Sequence, residues 1–313
     1  MKLFYCLILL GFAVSRVCAQ LAPPTHEWNA KLQIVDDTGH AVEGANASII
    51  YAVAPPPGKS MAAERVTGLT DTNGWFAASH QDGSLKLVFQ VKKAGYYDTS
   101  MGYELGLPGQ PYDPSKGNIS QLLVLKRIIH PIPMYAKWVK SGPPILNQPV
   151  GYDFMIGDWT APHGKGRTKD MLVTKEYEEK SPSDYYSKIT ITFPNDGDGI
   201  QEFIALKQES ELRSSHEAPA DGYQPQLARE VSAKPGQPSK FDYDENRNYY
   251  FRVRTILDEK GNIKSCLHGK IYGDLMHFRY YLNPTPNSRN VEFDPRQNLL
   301  KGLNSLDGGN LIP

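Results

Sequence analysis

Val35-Asp36-Asp37-Thr38-Gly39, Val42-Glu43-Gly44-Ala45, Thr70-Asp71-Thr72-Asn73-Gly74-Trp75-Phe76 and Lys93-Ala94-Gly95-Tyr96 follow one another in the first third of the chain. Most of these runs join apolar residues to turn chemistry. Asp accepts hydrogen bonds from the backbone just ahead of it, and Gly takes positive φ without a side-chain clash. Leu32 and Ile34 alternate with Lys31 and Gln33, the period of a half-buried strand. Residues 45–53 read as a second strand. Leu85, Leu87, Phe89 and Val91 line one face of another, with Lys86, Gln90 and Lys92 opposite. Asn73-Gly74 predicts a hairpin between Leu69 and Phe76. An apolar run over 119–129 closes a unit expected to be a β-sandwich over residues 27–127.

Residues 1–19 have the layout of a signal peptide. Lys2 supplies the positive start, an apolar run ends near Val14, and Val17-Cys18-Ala19 precedes Gln20. The run is shorter than the roughly 20 residues a membrane helix needs, and no later stretch spans a bilayer. The expectation is an exported, soluble chain, periplasmic or extracellular. Removing the leader removes Cys6 and Cys18 and leaves Cys266, so no disulfide framework is expected. Cys266 sits in an expected strand and reads as a small buried hydrophobe. The 34 basic and 34 acidic residues give no net charge, and neither half is basic. That argues against a nucleic-acid partner or an anionic membrane surface. Asn46-Ala47-Ser48 and Asn118-Ile119-Ser120 fit the N-glycosylation pattern, which acts only in a eukaryotic secretory route.

Taken in order, the landmarks between Val35 and Tyr96 resemble the carboxypeptidase regulatory-like domain, a transthyretin-like Greek-key sandwich. The resemblance covers about a third of the chain. It implies an accessory module without catalysis of its own, sometimes grouped with carbohydrate-binding-like folds.

Residues 130–313 open at His130-Pro131-Ile132-Pro133 and read as an antiparallel β-domain with one dry and one wet face. Residues 171–177 alternate. Ile189, Ile191 and Phe193 share a face, and Pro194-Asn195-Asp196-Gly197-Asp198-Gly199 predicts a hairpin into 200–206. Tyr249, Phe251, Val253 and Leu257 form an inner face, with Arg252 and Arg254 opposite. Met276, Phe278, Tyr280 and Leu282 form another. Residues 213–240, rich in Pro, Gly, Ser and Ala, read as a long loop, either functional or mobile. The fold class is therefore all-β in two domains.

Chemistry is sparse. The chain has no Gly-x-Ser-x-Gly elbow, no His-Glu-x-x-His, no dinucleotide fingerprint, and its eight histidines are dispersed. Asp153, Asp158 and His163 cluster in a Gly-rich stretch and are the candidate acid–base residues of a glycan-active or other hydrolytic enzyme with its site at 151–169. Trp159, with Tyr250 and Tyr281 on faces expected to be exposed, are the candidate ligand-binding residues of a carbohydrate-binding protein. Asp196 and Asp198 are the candidate calcium ligands. An EF-type loop would need an oxygen ligand at the fifth position, where Ile200 stands, so a plain turn explains them as well. No other cofactor is expected. The reading these observations favour is an exported, non-catalytic envelope or extracellular protein that binds an unidentified protein or glycan partner or serves a structural role.

Overall fold

The computed structural model describes residues 25–53, 62–106, 113–206, 209–303, 305–309 and 311–313. The leader-like segment, with Cys6 and Cys18, lies outside these residues. Among them no helix is long and apolar enough to cross a membrane.

The first sandwich contains β1 (His26–Asp36), β2 (Asn46–Val53), β3 (Ala62–Leu69), β4 (Trp75–Asp82), β5 (Lys86–Lys92), β6 (Thr99–Glu104) and β7 (Asn118–Leu125). One sheet has the order β4-β1-β7 and the other β3-β2-β5-β6. β1 runs antiparallel to β4 and parallel to β7. The alternation does what it promised: Trp28, Leu32 and Ile34 point inward onto Ile49, Leu87 and Phe89, all fully buried. Each such side chain contributes about 1.5–3 kcal/mol of burial. Trp28 keeps its indole N–H satisfied by donating to Asp82 at 2.7 Å.

The Asn73-Gly74 turn corrects one expectation. It joins β3 to β4, but β3 pairs with β2 and β4 pairs with β1, so the turn crosses between sheets and closes no hairpin. Asp71 caps it by accepting from the backbone of Asn73 and Trp75. Gly74 has φ +75°, and a Cβ there would stand 2.3 Å from the Ile34 carbonyl oxygen. The glycine is required because the corner presses against β1.

The second unit contains β8 (Ile132–Val139), β9 (Val150–Asp153), β10 (Asp158–Trp159), β11 (Met171–Ser181), β12 (Asp184–Thr192), β13 (Gly199–Ile204), β14 (Gln226–Ala233), β15 (Lys240–Phe241), β16 (Arg247–Leu257), β17 (Ile263–Tyr272), β18 (Phe278–Leu282) and β19 (Phe293–Asn298). A sheet of order β10-β9-β11-β12-β14-β15 packs on one of order β13-β16-β17-β18-β8-β19. Between them lies an aromatic core in which Phe154 stacks on Phe251 at 4.4 Å and Tyr152 meets Tyr280 edge-on at 5.8 Å.

Four expectations are corrected here. The 194–199 turn also crosses between sheets, from β12 to β13, because β13 pairs with β16. Residues 213–240 are not one loop: they include β14, which is paired along its whole length with β12. The β16 alternation breaks at Arg254, where φ is +55° and the β16–β17 register shifts. Thr255 therefore turns inward, while Leu257 is 36% exposed. Finally, the outer side of the sheet containing β16–β18 is largely covered rather than wet. It carries a further core of Met134, Tyr272, Tyr281, Phe293 and Leu311, and a smaller one of Ala218, Tyr250 and Val291. Tyr250 and Tyr281 are buried there rather than exposed, at 6% and 0%.

Candidate functional site

The loop with the candidate acid and base and the turn with the candidate calcium ligands belong to one cluster. The β9–β10 hairpin sets Asp153 opposite Asp158. Asp153 is 2% exposed, and both its oxygens are occupied. Oδ1 accepts from the backbone of Met155 and Ile156 at 3.0 and 3.1 Å, and from Arg254 Nη2 at 3.0 Å. Oδ2 accepts from the backbone of Arg167 and Thr168 at 3.0 and 2.9 Å. Asp158 likewise accepts from the backbone N–H groups of Trp159 and Lys165. The two carboxylates thus draw the 154–168 segment into a fixed loop. The glycines of this stretch serve the same packing, since a Cβ on Gly164 would lie 2.4 Å from the Trp159 carbonyl oxygen.

Arg254 connects this loop to the other turn. Its Nε donates to Asp170 Oδ1 at 2.8 Å and its Nη2 to Asp170 Oδ2 at 3.0 Å, a two-pronged grip. Its backbone N–H donates to Asp198 Oδ2 at 3.0 Å, and Thr255 N–H donates to Asp198 Oδ1 at 2.8 Å. The left-handed backbone at Arg254 costs about 1–2 kcal/mol. What offsets it is this geometry, which aims the N–H at one buried aspartate and the guanidinium at two others. Burial pushes the Asp153 carboxyl up, but the N–H groups of Thr168, Arg167 and Ile156, with Arg254, outweigh it and hold it below the usual range. Burial raises the carboxyls of Asp170 and Asp198.

This bonding leaves Asp153 little freedom to act as a base. A general base needs a lone pair facing a substrate and a pKa near the working pH. Asp153 faces backbone amides and is held in the opposite direction. His163 is exposed, and its backbone N–H closes a turn onto Thr160. Trp159 is half-buried and lies edge-on to Tyr152, with ring centres 5.0 Å apart, which ties its ring to the aromatic core. Asp198 is committed to N–H donors, while Asp196 stays exposed. Among the described residues no group of three or more His, Cys, Asp or Glu is arranged to hold a metal ion.

A second polar system, missed from sequence, sits where the two sandwiches meet. Glu292 is 1% exposed and accepts from the backbone of Ile129 and His130 at 2.9 and 2.7 Å and from Tyr97 Oη at 2.7 Å. Lys126 Nζ donates to the carbonyls of Arg213 and Ser214, each at 2.9 Å. Lys270, fully buried, donates to Ser214 Oγ at 3.2 Å, and Tyr272 donates to the same oxygen at 3.1 Å. Burial lowers the Lys270 amine well below its ordinary value and lowers Lys126 too. Lys270 and Ser214 have the composition of a Ser–Lys nucleophile pair. Both are 0% exposed, so no substrate carbonyl reaches them. Residues 209–211 also pair with β6: Ser100 N–H donates to the Glu209 carbonyl and Glu211 N–H to that of Asp98. A piece of the supposed long loop and its approach thus covers an edge of the first sandwich and clamps the joint.

No local sequence pattern marks this junction. Cys266 is buried as expected, 3.9 Å from His268 Nε2, and burial raises its thiol.

No family model and no curated protein matches the chain. Among solved structures, the C-terminal domain of shaft pilin SpaA from Lactobacillus rhamnosus GG is similar at 11% identity, over 33% of this chain and 99% of that one, with a TM-score of 0.22. The shaft pilin itself is similar at 14% identity over 55% and 90%, with a TM-score of 0.23. A streptococcal ancillary pilin is similar at 12% identity over 87% and 62%, with a TM-score of 0.20. At TM-scores this low none of them bears on what this chain does.

Proposed function

We propose that this chain is an exported, non-catalytic protein of the cell envelope or the extracellular space, acting as a structural or binding module. In this reading residues 27–127 are an accessory sandwich of the carboxypeptidase regulatory-like kind, and residues 130–313 form the domain it is locked to. One observation carries the proposal: Asp153, the most buried of the carboxylates nominated for chemistry, has both oxygens filled by backbone N–H groups and Arg254. The leader-like first 19 residues support export. The buried junction supports a unit in which the two sandwiches move together.

The test has two arms. Fractionation of cells producing the full chain should place it outside the cytoplasm, and in-situ cross-linking should trap a defined envelope or extracellular partner. Purified protein should turn over none of a panel of chromogenic glycosides, esters and peptides. Retention in the cytoplasm, or turnover abolished by Asp153→Asn or His163→Ala, would contradict the proposal.

A further inference from the structure

The two sheets of the second unit part at one margin, between the β14–β16 side and the β17–β18 turn. The opening is a small pocket of about 120 Å³. Its floor is apolar, made by Ile189, Val231, Tyr249, Leu275 and Met276. Its rim is charged. Beside it, on and just after the two-residue edge strand β15, Phe241 and Tyr243 are 68% and 49% exposed, their rings 5.9 Å apart. Exposed aromatics next to an open apolar slot are what a binding margin presents.

The rim charges define what fits. Arg229 and Arg247 line the pocket, but each is already matched. Both guanidiniums contact Glu202, Arg247 Nη1 lies 2.9 Å from Asp242 Oδ1, and Arg229 Nη1 lies 3.9 Å from Asp242 Oδ2. This square of two guanidiniums and two carboxylates is neutral and has no cation to spare for an anionic ligand. Asp244 and Asp274 also line the pocket. Asp244 Oδ1 accepts from the Asn246 N–H at 2.9 Å, and Asp274 Oδ1 from the N–H groups of Met276 and His277 at 2.8 Å. Neither forms an ion pair with a cation among the described residues. The mouth therefore carries unbalanced negative charge above an apolar slot, with the Tyr243 ring at its edge. An ammonium gains from both the carboxylates and the ring face.

We infer that this pocket takes a primary ammonium on an unbranched aliphatic stem, and specifically the lysine side chain of an extended partner polypeptide. The stem lies on Ile189, Val231 and Leu275, and the ammonium sits between Asp244 and Asp274. The rest of the peptide runs past Phe241 and Tyr243 at the short edge of the sheet. The inference rests on the pocket alone and is independent of the structural roles assigned to the junction and to the Arg254 cluster.

The test is an NMR titration of the full chain with small probes. Nα-acetyl-lysine methylamide should move the amide resonances of residues 187–189, 229–231, 242–249 and 274–276, with a dissociation constant of about 1–10 mM. Nα-acetyl-norleucine methylamide keeps the stem and drops the charge; it should bind at least about threefold more weakly. Added salt should narrow that difference. Asp244→Asn with Asp274→Asn keeps the Oδ1 acceptors of both turns and should bring the lysine probe down to the norleucine level. Norleucine binding as tightly as lysine would overturn the charge argument. n-Hexylamine binding as tightly as the lysine probe would overturn the polypeptide source. A methyl glycoside moving the same resonances more strongly, or no probe moving them at about 10 mM, would overturn the site.

Discussion

Replacing Arg254 with methionine removes the guanidinium's three hydrogen bonds to carboxylates while keeping an apolar stem of similar length. The bonds run to Asp170, whose side chain is 0% exposed, and to Asp153, at 2%. Hydrogen bonds to charged groups contribute about 1.5–3 kcal/mol each. Three of them would sum to more than the change can show, because they share one donor group and are not additive. The closer analogue is a buried ion pair that loses one partner, which costs about 3–5 kcal/mol. Arg254 itself is 28% exposed, and water entering its place softens the loss, so the lower half of that range is expected. The sign with pH follows. Without the guanidinium, the Asp170 carboxyl rises further and the Asp153 carboxyl rises from its lowered position, and protonation relieves both. The deficit should be largest at pH 7 and shrink toward pH 5. Urea unfolding followed by fluorescence reads this, since Trp159 packs against the affected core. Two units need not unfold together, so hydrogen exchange should assign the loss to the second sandwich. A deficit under about 1 kcal/mol, or one independent of pH, would refute the view that this cluster holds the two sheets together.

Other consequences follow from the same structure. Lys270→Met should leave the fold intact and stabilise it by about 1–4 kcal/mol, read as a higher Tm. The wild-type chain should gain stability as pH rises toward the ordinary lysine value, because the unfolded amine there still holds a proton that the buried one has lost; the variant should lack that slope. His268 is buried and its pKa is lowered to about 4, so between pH 6.5 and 4 the unfolded state binds the extra proton. Stability should fall by about 3 kcal/mol as pH drops through that window, and His268→Gln should flatten the profile. Gly74→Ala meets a backbone oxygen at 2.3 Å as well as a positive φ and should cost well over the ~1 kcal/mol expected at Gly39, where a Cβ has open space. Denaturant midpoints of the two variants check that order.

The all-β class was legible because period-two alternation survives local noise: Leu32 with Ile34, and Phe278 with Tyr280, fell on the inner faces they were assigned. The turn chemistry at Asn73-Gly74 and at Asn195–Gly199 was also legible. What it connected was not, since the same Asp and Gly geometry closes a hairpin or a corner between sheets, and only pairing across long sequence distance decides. Tyr250 and Tyr281 were misplaced for a related reason. Alternation says which face a residue occupies, not whether a later segment covers that face. The residues around Asp153 stood out in the sequence as candidates for chemistry, but their link to Arg254 did not, because nothing local shows that Arg254 leaves its strand's alternation to meet them. Lys270 and Glu292 were invisible: a lysine opposite an inward isoleucine reads as solvated until Ser214, Phe293 and Leu311 close over that face.

Carboxyl-carbon NMR titration of Asp153 in the intact protein tests the account most directly. If the carboxylate serves architecture, it stays ionised below the usual aspartate range, and it loses its charge only as the second sandwich opens in acid. A reversible titration near neutral pH, in a chain that remains folded, would show a group poised for proton transfer and would contradict the non-catalytic reading.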